Sequence, residues 1–127
     1  NANSMGLNII QKIQPSLPTI NVDPILVEQV LLNLIKNGLE SMNESTHKDL
    51  ILGVESNKND VIFSVHDQGL GVPEKIKDRL FESFFSTKSE GTGIGLNICR
   101  SVIESHGGKL WYKNHQKIGC VFYFSIE

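Results

Sequence analysis

Three short segments in a fixed order restrict this chain more than anything else in it: Asn33-Leu-Ile-Lys-Asn37, then Asp67-Gln-Gly69-Leu-Gly71, then Gly91-Thr92-Gly93-Ile-Gly95-Leu96. The first sets paired amides inside an apolar helical pattern. The second places a carboxylate on a tight glycine turn. The third is a glycine loop that opens a helix. Each alone has an ordinary explanation. Together they describe the walls of a nucleotide pocket, and a fold that uses them must bring all three to one place.

The first segment lies on the best-defined helix. Asp23-Pro24 is a start signal, with Asp as the capping residue and Pro at the first helical position. Val27, Val30, Leu31, Leu34, Ile35, Leu39 and Met42 then recur at helical spacing, which predicts a helix from about 24 to 43. Gln29, Asn33 and Asn37 fall at i, i+4 and i+8 on one face beside that stripe. Asn prefers caps and turns, so two of them mid-helix need a reason. One reason is that an amide oxygen is a hard ligand suited to Mg²⁺. A pair of solvated surface amides is the other, and this segment does not decide between them.

Asp67 ends the apolar run Val61-Ile-Phe-Ser-Val65. An ionised carboxylate only accepts hydrogen bonds. The exocyclic amine of adenine donates, whereas guanine carries a carbonyl at that place, so Asp67 is a candidate for choosing adenine. An Asx turn with glycine punctuation explains the same residues. In the third segment, backbone N–H groups at a helix start, with no side chains in the way, form an anion site for phosphates, and Thr92 adds a hydroxyl. A flexible hinge is the alternative. The spacing is neither that of a P-loop nor that of a dinucleotide-binding turn.

The rest of the chain reads as a small scaffold. Residues 7–14 are expected to form a strand, 51–56 and 61–66 a hairpin around Asn57-Lys-Asn59-Asp60, and 73–81 a short helix. Residues 82–93 have no regular pattern and read as a mobile loop. A second long helix is expected over 94–105, closed by Gly107-Gly108, followed by a hairpin of 109–113 and 120–126. The order β, α, ββ, α, α, ββ implies an α+β, two-layer α/β sandwich. Its mixed, mostly antiparallel sheet is packed on one face by three helices. Residues 1–6 are read as a tag or linker before one domain over 7–127, a size at which a single core suffices.

Composition excludes more than it assigns. Hydrophobic content of 39% and charged content of 20% are globular values. A net charge of −2 with no Lys/Arg run gives no nucleic-acid footprint. No apolar stretch approaches the roughly 20 residues of a membrane span, so no direct membrane contact is expected. No leader peptide is visible in the polar start. The two cysteines, Cys99 and Cys120, fit neither a disulfide framework nor a zinc site, and a reducing cytoplasm is the simplest compartment.

The ordered motifs resemble those of the catalytic, ATP-binding domain of histidine protein kinases. Gln29-Val-Leu-Leu-Asn33-Leu-Ile-Lys-Asn37-Gly-Leu-Glu-Ser-Met42 looks like that family's N box, and Asp67-Gln-Gly69-Leu-Gly71 like its G1 box. Phe81-Glu-Ser-Phe84-Phe85-Ser-Thr87-Lys88 looks like its F box, and Gly91-Thr92-Gly93-Ile-Gly95-Leu96 like its G2 box. The helix and turn through His106-Gly-Gly108 match what usually follows. The resemblance covers essentially all of 7–127.

It implies the sandwich shared with gyrase-type, heat-shock-chaperone and mismatch-repair ATPases, with ATP and Mg²⁺ as ligands. It assigns Asn37 to the metal, Asp67 to adenine, and 91–95 to the hinge of a lid over the phosphates. Gly69, Gly71, Thr87, Lys88, Gly95 and Leu96 are placed around the nucleotide with them. The short lid and the Ser-Thr-Lys signature resemble nitrogen-regulation and oxygen-sensing kinases, whose matching Lys reaches the phosphates; a solvated Lys is the alternative for Lys88. Gly38 stands where the N box usually has Ala.

In ATP-hydrolysing relatives the residue one turn before the metal-binding Asn is a Glu that activates water. Here it is Asn33, which cannot take a proton near neutral pH, and that favours phosphotransfer. Catalysis is therefore expected from Asn33, Asn37 and Lys88. None of His47, His66, His106 and His115 stands in a His-Glu-x-x-x-Pro context, so the acceptor His is expected on a dimerisation hairpin of the parent kinase, which would pass phosphate on to a response regulator. Parents of this kind are membrane-bound or soluble, with this domain in the cytoplasm. Two other readings stay open: a nucleotide-sensing module without catalysis, and an anti-sigma-type Ser kinase, against which the F box and short lid argue.

Overall fold

The structure, a computed structural model, describes residues 7–42, 48–69, 71–81, 95–114 and 119–127. They form β1 (Asn8–Ile13), α1 (Pro24–Ser41), β2 (Asp49–Ser56), β3 (Val61–Asp67), a 3₁₀ helix (Glu74–Arg79), α2 (Leu96–Ser105), β4 (Leu110–Asn114) and β5 (Cys120–Ile126). One five-stranded sheet runs in the order β1-β2-β3-β5-β4. β1 lies parallel to β2, and the remaining pairs are antiparallel. The expected mixed, mostly antiparallel sheet with helices packed against it is what forms. The parallel pair follows from α1, which carries the chain back between β1 and β2 as a crossover must.

α1 begins where Asp23-Pro24 predicts: the Asp23 carboxylate accepts from the N–H groups of Ile25 and Leu26 at 3.1 and 3.2 Å. It ends at Ser41, two residues before the expected limit. α2 starts at Leu96 because Gly95 is extended (φ −86, ψ 170) and serves as the cap. It closes at Gly107-Gly108, whose N–H groups donate to the carbonyls of Glu104 and Ile103 at 3.0 Å. The segment expected as a short helix over 73–81 is a 3₁₀ helix with no buried residue, held at the side by Val72, Leu80 and Phe81 against the core. The expected mobile loop over 82–93 lies outside the described residues.

Val27, Val30 and Leu34 of α1 meet Cys99 and Ile103 of α2 over Leu50, Val65, Leu110, Phe122 and Phe124 of the sheet. Phe63 and Phe124 stack at 4.6 Å. Burying each such Leu or Phe stabilises the fold by about 1.5–3 kcal/mol. Strand alternation then has a chemical consequence. Val61, Phe63 and Val65 point toward the helices, so the next residue on that face, Asp67, is carried to the edge of the core.

Candidate nucleotide site

Asp67 is 4% exposed. Its Oδ1 accepts from the N–H of Gly69 at 2.9 Å, so the Asx turn anticipated as the ordinary explanation is present. Burial is what distinguishes it from an ordinary turn. Desolvation raises the Asp67 carboxyl above its usual value, against the opposing pull of the Gly69 N–H, the Ser41 hydroxyl, the His66 ring and the Cys120 N–H. A buried acceptor at the end of a strand, costly to keep charged, is suited to a ligand that donates to it.

The turn is pressed between helix and sheet. A Cβ at Gly69 would overlap both the hydroxyl and the carbonyl of Ser41, so only glycine lets the turn lie against the last turn of α1. From the other side comes Gly119, with φ +88, where a side chain would overlap the Asp67 carbonyl. Gly119 leads into β5, whose Cys120 pairs with Asp67 in register. Gln68 accepts from the Asp49 N–H at 3.0 Å. Beyond Gly71 (φ +80) the Asn114 side chain clamps Val72, accepting from its N–H at 2.8 Å and donating to its carbonyl at 3.0 Å. Sequence reading missed Gly119, Asn114 and Ser41. The only signal was a glycine before the last strand and polar residues at element ends, neither of which points to Asp67.

On α1, Asn33 is buried, and Asn37 one turn later is half-buried. The Asn37 amide donates to the Asn33 carbonyl oxygen at 3.3 Å. Solvated surface amides therefore do not describe the pair, although they do describe Gln29, which is exposed. With its N–H₂ turned to Asn33, Asn37 has its own carbonyl oxygen for a cation. Among the described residues no group of three or more His, Cys, Asp or Glu is placed to hold a metal. A single amide oxygen fits Mg²⁺, which takes few protein ligands and completes its shell with phosphate oxygens and water. Gly38, the residue after Asn37, faces Asp67: a Cβ there would stand 3.4 Å from Asp67 Cβ and 2.9 Å from Leu50 Cδ1. The amide pair and the carboxylate thus adjoin the same stretch of α1.

At the start of α2, Gly95 is the cap and Leu96, the first helical residue, packs against the core. Thr87, Lys88, Gly91, Thr92 and Gly93 lie outside the described residues, as do His47 and His115. Arg100 of α2 sits over the Phe81 ring at 4.7 Å, at the entrance to that segment. The thiols of Cys99 and Cys120 are free and buried, and burial pushes them up to about 11 and about 12, so neither is a nucleophile near neutral pH.

Residues 22–127 match the family model of histidine kinase-, DNA gyrase B-, and HSP90-like ATPases. This chain belongs to that family. The catalytic domain of histidine kinase ThkA, solved free of nucleotide, superposes with a TM-score of 0.85 at 35% identity, covering 98% of this chain and 80% of that one. Full-length ShkA, solved with AMPPNP, superposes at 0.82 with 28% identity over 98% of this chain and 26% of its own. The sensor protein TdiS of Thauera aromatica is 40% identical over 116 residues, which is 88% of this chain and 21% of TdiS. The chain thus spans about a fifth of that relative's length. As an ATPase-family domain of the histidine-kinase kind, it is built to bind ATP, and no helix among its described residues is long and apolar enough to cross a membrane.

Proposed function

We propose that this chain is the ATP-binding, catalytic part of a two-component sensor histidine kinase. It would transfer the γ-phosphate of ATP to a His on a dimerisation hairpin of the same parent protein. Asp67 accepts from the adenine amine, and Gly69 and Gly71 let the backbone approach the base. Asn37 gives its carbonyl oxygen to Mg²⁺, and Gly91, Thr92, Gly93, Gly95 and Leu96 border the phosphates with Thr87 and Lys88. The metal, when bound, neutralises charge on the β- and γ-phosphates. In the transfer the bond from the γ-phosphorus to the bridging oxygen breaks, ADP leaves, and the acceptor imidazole nitrogen forms the new bond; its proton goes to a base on the hairpin. What this chain adds is positioning and electrostatics.

One observation carries the choice of transfer over hydrolysis. Asn33 is buried, its oxygen is engaged by Asn37 at 3.3 Å, and an amide does not take a proton from water at neutral pH. A response regulator downstream is supported by ThkA, which has also been solved in complex with the response regulator TrrA. We place the domain in the cytoplasm, where ATP and such a partner are found.

Incubation with labelled ATP tests the proposal. Alone, the chain acquires no acid-labile, base-stable phosphate. With the hairpin of its parent supplied separately, the hairpin is labelled slowly and in proportion to concentration, because the tether that raises effective concentration is missing. Lys88→Ala slows this labelling more than it weakens ATP binding. Label on His47, His66, His106 or His115 of the isolated chain overturns the assignment. An unlabelled hairpin at high concentration, with ATP binding intact, turns it to a nucleotide-sensing module.

A further inference from the structure

The last residue of α1 stands at a junction that the nucleotide reading leaves without a role. The Ser41 hydroxyl donates to the Gly38 carbonyl at 3.1 Å, and it lies against Gly69, where a Cβ would overlap it. The Asp67 carboxylate is the second acceptor within its reach. One hydroxyl proton therefore has two candidate acceptors, a helix carbonyl and a buried carboxylate. Ser41 is exposed whereas Asp67 is buried, so the hydroxyl stands at the rim of the site and the carboxylate in its wall.

A carboxylate rotates about a soft, two-fold terminal torsion. To aim one lone pair at a base amine it must be held at more than one point. The Gly69 N–H holds Oδ1 at 2.9 Å and the Cys120 N–H also bears on the carboxylate, so the backbone holds come from the turn and from β5, not from the helix. A hydroxyl arriving from the helix side supplies a further hold, from a third direction, without adding charge. It also takes nothing from the pocket, because its other acceptor, the Gly38 carbonyl, belongs to the same helical turn.

We propose that Ser41 is a positioning residue for base selection: its hydroxyl shifts from the Gly38 carbonyl to the Asp67 carboxylate and fixes the orientation in which Asp67 accepts from the exocyclic amine of adenine. The proposal rests on the assignment of Asp67 to the base. It predicts a signature that loss of structure does not give. Removing the hydroxyl weakens binding of a nucleotide that carries the amine and spares one that lacks it.

The test compares ATP with purine-riboside triphosphate, which differs only in lacking that amine. Titration calorimetry is run on the wild type, Ser41→Ala, Ser41→Thr, Asp67→Asn and the double variant Ser41→Ala/Asp67→Asn. Ser41→Ala lowers affinity for ATP about threefold to tenfold, the worth of one hydrogen bond, and changes the amine-free nucleotide by less than about twofold. Ser41→Thr restores ATP binding, and Ser41→Ala has no further effect once Asp67 is Asn. Equal losses on both nucleotides, or no loss on either, overturn the role of Ser41. An unchanged preference for ATP in Asp67→Asn overturns the base assignment itself, and the role of Ser41 with it.

Discussion

Both ends of α1 are gripped by polar groups from distant parts of the chain, and the two grips differ in what they cost. At the amino end, His106 Nε2 accepts from the Asp23 N–H at 3.0 Å, and its Nδ1 donates to the Val102 carbonyl at 2.8 Å. That pattern needs a neutral ring with the proton on Nδ1, and both ring nitrogens are then used. The cap, the helix start and the end of α2 are tied together through both ring nitrogens of His106 and the Asp23 carboxylate. At the carboxyl end, Asp67 is buried, and desolvation raises its carboxyl above the usual value, with its hydrogen bonds only partly offsetting that burden. A junction of paired groups is what stability alone selects. A buried carboxylate whose charged form is disfavoured by its surroundings is suited to a ligand that donates to it, and it lies beside the amide pair of Asn33 and Asn37.

The strongest way to break this contrast is Asp67→Asn. Asn retains an acceptor for the Gly69 N–H but, in the proposed base contact, turns a donor toward the adenine amine or loses the ionic acceptor. ATP affinity is expected to fall at least tenfold, consistent with about 1–3 kcal/mol for an unmet buried polar group, and preference over GTP to relax. Titration calorimetry with both nucleotides measures it. Stability of the nucleotide-free domain should not fall with it. Because the folded value of Asp67 is raised above its ordinary one, the stability this group contributes is present at low pH and is lost as pH rises through the folded value. Denaturant melts should therefore show Asp67→Asn gaining on the wild type from acid toward neutral pH. ATP binding should show the reverse, weakening in wild type as pH falls through that raised value. A variant destabilised at neutral pH with ATP affinity intact would make Asp67 a structural residue.

His106→Ala is the complementary experiment at the other end. It removes the acceptor for the Asp23 N–H and the link between the two helices. The junction is exposed, so water replaces part of what is lost, and the expected cost is about 1 kcal/mol of stability. ATP affinity should stay within about twofold of wild type. A large loss of binding would mean that the amino end of α1 transmits to the site, and the contrast between the two ends would not hold.

Much of this contrast was legible in the sequence, for reasons that are local. Asp23-Pro24 and a 3.6-residue apolar repeat specify α1 without help from the rest of the chain, and the apolar run ending at Asp67 specifies a strand closed by a carboxylate. Non-local pairing was not legible. Gln29, Asn33 and Asn37 share one spacing, yet Asn33 is buried and Gln29 exposed, because what covers a helix face is set by α2 and the sheet. Gly119, Cys120, Ser41 and Asn114 reach the Asp67 turn through the β3–β5 register and the packing of α1. No periodicity in the sequence encodes that register. The same limit applies at the start of α2, where the extended Gly95 moves the first helical residue to Leu96.

The smallest expected effect sharpens the comparison most, because it asks whether the carboxyl end gives up stability for space. Gly38 lies mid-helix, where Ala would be favoured by about 1 kcal/mol. The added Cβ would come 2.9 Å from Leu50 Cδ1, and Leu50 is wholly buried, so a methyl must move within a packed core at a similar cost. The other neighbour, Asp67 Cβ at 3.4 Å, yields with a shift of a few tenths of an ångström, and that shift tilts the carboxylate. Gly38→Ala should therefore leave stability within about 1 kcal/mol of wild type by denaturant melt. ATP affinity should fall by less than the loss caused by Asp67→Asn. If instead the variant gains the whole helix-propensity increment and binds ATP as the wild type does, Leu50 relaxes freely. Gly38 is then not reserved for the nucleotide, and the cost at this end of α1 belongs to Asp67 alone.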